Sequence, residues 1–141
     1  RYQEQSNLNS VRGSELKVDS VQKIAPLIWV SDIQTSTRFY CEKLGFSCHD
    51  SWKPNGMLKW CSLGLGNLSL MLQQYDGEAE FKKPEGIDLY IVCDDVEPLH
   101  KLISSKGARV TPISVEFYGM KQFFVTDPDG NNICFESMIN Q

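Results

Sequence analysis

The chain has 141 residues with 41% hydrophobic, 23% charged and 11% aromatic positions, a balance that predicts one compact domain able to bury a core and excludes a disordered or fibrous chain. Lys+Arg 14 against Asp+Glu 18 leaves a formal charge of -4, without the basic excess that phosphate neutralisation requires, so nucleic acid is not an expected partner. The longest apolar run, Ile24 to Val30, is far too short to cross a bilayer, and no membrane partner is expected. Five cysteines (Cys41, Cys48, Cys61, Cys93 and Cys134) form no C-x-x-C pair and cannot all pair within the chain; reduced, mostly buried thiols and a cytoplasmic location are the expectation. The sequence begins at Arg1, which leaves a trimmed chain or a removed leader open.

Arg1 to Gln22 reads as a polar N-terminal arm, rich in Gln, Asn and Ser with widely spaced apolar residues. Ile24 to Val30 is predicted as a buried strand, after which Ser31-Asp32 caps a helix whose Ile33, Thr37, Tyr40, Cys41 and Leu44 recur at helical spacing until Gly45 stops it. Strands follow at Phe46 to about Trp52, Met57 to Leu63 and Asn67 to Gln73, with Lys53 to Gly56 and Gly64-Leu65-Gly66 as turns. Tyr75 to Gly86 has no apolar period and reads as a linker. The pattern then repeats: a strand at Ile87 to Cys93, a cap at Asp94-Asp95, a helix at Val96 to Lys106 stopped by Gly107, and strands at Ala108 to Ser114, Gly119 to Thr126 and Asn131 to Ser137. An offset of 63 carries Asp95 onto Asp32, Ile91 onto Ile28, Ile133 onto Leu70 and Phe135 onto Leu72. The expected organisation is an arm over 1–22 and a duplicated βαβββ domain over 23–141, its modules at about 23–75 and 86–138.

Period-two alternation predicts that Leu27 and Trp29 share one face of the first strand with Ala25, while Ile24, Ile28 and Val30 turn toward the helix. By the offset Asp88, Tyr90 and Val92 occupy the corresponding face of the second module, joined by Met71 and Gln73, and by Cys134 and Glu136. Such a surface, aromatic and dotted with carboxylates, suits a flat or amphiphilic organic molecule, aromatic or cationic, held by stacking and a few polar contacts. The same residues at alternate positions would equally fill a core. Neither histidine is expected on this face: His49 reads as a solvated or hydrogen-bonded side chain at a strand edge and His100 as a helix-surface residue, which leaves no partner for a nucleophilic thiol.

The cap followed by Phe39-Tyr40 and Leu44-Gly45-Phe46, and above all Tyr118-Gly119 with Asp127-Pro128-Asp129-Gly130-Asn131, make the chain from Ile24 to Ser137 resemble the vicinal oxygen chelate superfamily, which includes glyoxalases, extradiol dioxygenases and bleomycin-resistance proteins. Taken alone, the Asp-Pro-Asp-Gly-Asn segment is a hairpin connection. The resemblance implies an α+β fold in which two βαβββ modules form a curved, mostly antiparallel sheet around a cleft, and a homodimer. It also places the family's metal ligands on Ala25, Met71, Asp88 and Cys134, of which only Asp88 and Cys134 can bind a divalent ion; a weak alternative set is Asp88, Cys134 and Glu136. The expectation is therefore a bleomycin-resistance-like protein that binds a small organic molecule with no metal, cofactor or catalytic residue. Ligand-binding candidates are Leu27, Trp29, Met71, Gln73, Asp88, Tyr90, Cys134 and Glu136, and the competing reading is a divergent metal-dependent lyase, isomerase or dioxygenase.

Overall fold

The computed structural model describes residues 20–139, so nearly all of the expected arm lies outside the described residues. The first half runs β1 (Leu27–Val30), α1 (Ile33–Arg38, continued by a wider π turn over Phe39–Lys43), β2 (Ser47–Trp52), β3 (Trp60–Leu65) and β4 (Leu68–Gln74). The second runs β5 (Leu89–Val92), α2 (Val96–Ser105), β6 (Ser114–Val115), β7 (Met120–Thr126) and β8 (Asn132–Met138). Each half forms one four-stranded mixed sheet, ordered β1-β4-β3-β2 and β5-β8-β7-β6. In both, the first strand pairs parallel to the last, Leu27 opposite Met71 and Leu89 opposite Ile133, and the other pairings are antiparallel. This is the α+β architecture the sequence predicts, with two separate sheets where one curved sheet was expected.

One face of each sheet is buried and the other open. Ile28, Val30, Cys61, Leu63, Leu70 and Leu72 of the first sheet join Phe123, Val125, Ile133 and Phe135 of the second in one hydrophobic core, closed by Ile33, Tyr40 and Leu44 of α1 and its continuation and by Val96 and Ile103 of α2. Each fully buried Leu, Ile or Phe side chain contributes about 1.5–3 kcal/mol relative to exposure, so these rows fix which face turns inward. Both helices start as expected: Asp32 accepts from Thr35 N (3.1 Å) and Asp95 from Glu97 N (3.0 Å). Gly45, at φ 84°, supplies the left-handed turn after the first helix.

The halves are fastened at the turn between β7 and β8. Buried Asp127 accepts from the Tyr40 hydroxyl (2.9 Å), from Asp129 N (2.9 Å), and from Asn131 N and Nδ2 (2.8 and 2.9 Å). Asp129 receives the Ser31 backbone N–H (3.0 Å) and its hydroxyl, and Lys43 Nζ donates to Lys106 O (2.6 Å). The π turn sets Tyr40 within this reach, with Phe46 N donating to Tyr40 O (3.0 Å).

Several boundaries differ from expectation. Ile24 is 87% exposed, not turned toward the helix, because the ladder starts only at Leu27 opposite Met71. The strand expected from Met57 begins at Trp60. The strand expected over Ala108 to Ser114 reduces to a bridge from Val110 to Val125 and the short β6, since Pro112 has no N–H to donate. The Tyr75 to Gly86 segment is more than a linker: Tyr75 packs edge-on against Trp29 (centroids 6.4 Å apart) and against Phe81 (5.6 Å).

Candidate functional site

The open face of the first sheet follows from its register. Leu27 stands opposite Met71 and Trp29 opposite Gln73, while Trp60 pairs Gln73 from the far side and Trp52 pairs Trp60. Trp29 remains 46% exposed at the edge of this row. A hollow of about 330 Å³ lies beside it, bounded by Tyr75, Phe81, Lys82 and Pro84. His49 also belongs to this face, contrary to expectation. The ladder shifts between Cys48 and Asp50, so His49 is the extra residue of a bulge, and its imidazole lies where a Cβ on Gly64 would sit. Glycine at 64 is what admits the ring there.

On the second sheet Tyr90 and Phe124 flank Cys134 in register, and Glu136 lies between Val92 and Gln122. The Tyr90 and Phe124 rings meet edge to face with centroids 6.2 Å apart, closing over β8. Beneath them Cys134 is 0% exposed, so a ligand on this face meets the rings and not the thiol. Burial, followed by the charges of Glu136, Glu116 and Asp88, pushes that thiol up to about 11, which makes it a poor nucleophile at neutral pH. Tyr118 comes in from the β6–β7 loop and donates to Gln122 Oε1 (2.8 Å). Partial desolvation, then neighbouring carboxylates, holds the hydroxyls of Tyr90 and Tyr118 above the usual tyrosine range.

The eight candidate residues thus divide between two faces: Leu27, Trp29, Met71 and Gln73 on one, Tyr90, Cys134 and Glu136 on the other, with exposed Asp88 just before β5. They do not line one enclosure. Leu27 borders a groove of about 280 Å³ with Pro84, Ile87 and Asn132, and Tyr90 borders one of about 360 Å³ with Ile24, Phe46 and Leu68. Trp52, Trp60, Gln122, Phe124, Glu116 and Tyr118 complete the faces. Gln122 and Phe124 escape a reading by alternation because Phe123 and Phe124 are consecutive apolar residues, one in the core and one on the open face, and Glu116 lies in the β6–β7 loop, where no strand period applies.

The family's metal does not fit these residues. Ala25 has no donor atom, Met71 offers only a thioether and Cys134 is fully buried beneath the Tyr90 and Phe124 rings. Among the described residues no three His, Cys, Asp or Glu side chains gather closely enough to hold an ion, so Asp88, Cys134 and Glu136 share a face without forming a ligand set. His100 is likewise committed elsewhere, with Nε2 2.9 Å from Thr111 O and its ring edge-on to Phe123, and it is half-buried where a surface residue was expected.

No curated protein sequence matches the chain. Among solved structures it is similar to a glyoxalase/bleomycin resistance protein/dioxygenase from Alicyclobacillus acidocaldarius (TM-score 0.68, 20% identity, 84% of this chain and 92% of that one). It is also similar to a glyoxalase-related enzyme from Clostridium phytofermentans (0.67, 16%, 88% and 100%) and to a virulence protein from Salmonella typhimurium (0.63, 25%, 84% and 98%). The family model described as Glyoxalase/Bleomycin resistance protein/Dioxygenase superfamily matches residues 18–135, and with the paired mixed sheets this establishes that the chain belongs to that superfamily.

Proposed function

We propose that this protein binds a small organic molecule, aromatic or cationic, between open sheet faces, without catalysis and without a metal, in the manner of the bleomycin-resistance-like branch. The observation that carries the reading is the exposure of Trp29, Trp52, Tyr90 and Tyr118 on faces turned away from the core. Rings left in water next to polar groups are surfaces for stacking, and several together are unusual on a monomer with no partner. A homodimer in which the first face of one chain meets the second face of its partner would join the two groups of candidates into one cleft. The five free cysteines support a reducing, cytoplasmic setting.

A thermal-shift series with aromatic and cationic compounds, run beside sedimentation analysis, tests this. A Tm that climbs with ligand concentration and weakens in Trp29→Leu and Tyr90→Leu is expected, with a species at twice the 16.0 kDa chain mass. The alternative, a divergent metal-dependent lyase, isomerase or dioxygenase, predicts stoichiometric metal surviving dialysis. That result, or a compound series with no shift at all, would replace the binding reading.

A further inference from the structure

The two open faces differ in charge as well as in shape. On the second sheet the rings of Tyr90 and Phe124 touch over β8, and Tyr118 is tied to the same face through Gln122. Glu136 is the register partner of Gln122, and Glu116 is steadied at the base of the β6–β7 loop by the Ser114 hydroxyl, which donates to its Oε1 (2.8 Å). Asp88 stands two residues before Tyr90. Among the described residues none of these three carboxylates has a cationic partner. The basic groups nearby face elsewhere: Lys121 Nζ lies 3.7 Å from Glu97 of α2, and His100 packs on Phe123 at the core side. The hollow beside Trp29 has the opposite character, with Lys82 among its rings.

We propose that the face formed by Tyr90, Tyr118 and Phe124, with Glu116 and Glu136 beside them, is a subsite for an alkylated ammonium group. The inference rests on the small-molecule reading above and adds which end of the ligand this face takes. An aromatic ring attracts a cation through the negative potential of its face, most strongly where water is partly excluded. A quaternary ammonium suits such a surface because it has no N–H bonds to lose on leaving water. Unpaired carboxylates nearby add attraction without direct contact and repel anionic ligands. A hard metal ion is a poor rival here, since three donors do not converge.

The test compares 4-(trimethylammonio)phenol with 4-tert-butylphenol, which share a shape and differ in charge, by calorimetric titration at low ionic strength. The cation is expected to bind about tenfold more tightly. That ratio should fall toward one in a Glu116→Gln, Glu136→Gln double variant while the affinity for the neutral probe is unchanged. Tyr90→Leu should weaken the cation more than the neutral probe, and thermal melts report whether the variants stay folded. Equal binding of the two probes, or a preference that survives both changes, overturns this inference and leaves the small-molecule reading standing. Binding of neither probe overturns this inference, and the small-molecule reading falls with it only if the thermal-shift series is also flat.

Discussion

Tyr40 shows how one side chain can hold two modules together. Its ring is buried against Phe39 and Phe46, edge to face at 5.4 and 5.7 Å, and its hydroxyl reaches across to Asp127. Tyr40→Phe removes one buried hydrogen bond to a carboxylate and should cost about 1.5–3 kcal/mol, with Asp127 still held by Asn131 and by Asp129 N. Burial, then the Asp127 charge, drives the Tyr40 hydroxyl far above its ordinary range. Above about pH 10 the unfolded chain therefore loses a proton that the folded chain keeps, and stability falls as pH rises. Urea unfolding between pH 8 and about pH 11 should show a shallower decline in Tyr40→Phe than in the parent. Parallel slopes would mean that the hydroxyl ionises alike in both states.

At the level of elements, α1 depends on its first residue. The Asp32 carboxyl is held below the usual range chiefly by the Thr35 N–H, so its contribution is present above the ordinary carboxylate pKa and is lost as pH falls through the lowered value. Asp32→Ala should cost about 1 kcal/mol at neutral pH, and the gap to the parent should close as the pH is lowered below the carboxylate range in denaturant melts. A gap that persists in acid would point to lost packing instead.

Both caps were legible because capping is local chemistry, a carboxylate two or three residues before the N–H it accepts. The inner and outer faces of β4 and β8 were legible because Leu70, Leu72, Ile133 and Phe135 alternate cleanly. The start of β1 was not, since Ile24 is as apolar as Ile28 and only the position of its ladder partner Met71 decides where pairing begins. The same holds for the site. Trp29 and Tyr90 could be placed by alternation, whereas the bulge that swings His49 over Gly64 and the loop that brings Phe81 to Tyr75 depend on contacts between distant residues.

For the molecule as a whole, both sheets press into one core while the outer face of each lies outside it. The division of the candidate residues between these faces explains why no single chain encloses them, and why ligand and partner would be thermodynamically linked if each stabilises the same cleft. The two halves differ most consequentially at one hairpin. The β3–β4 hairpin of the first half turns through Gly66 and Asn67, whereas its counterpart carries the Asp127 carboxylate that receives Tyr40 from the other half. The first half therefore brings the key and the second the lock. A chain nicked within the exposed stretch from Gly77 to Glu80 should stay together as two noncovalent fragments that migrate and melt as one, while either fragment expressed by itself should fail to fold.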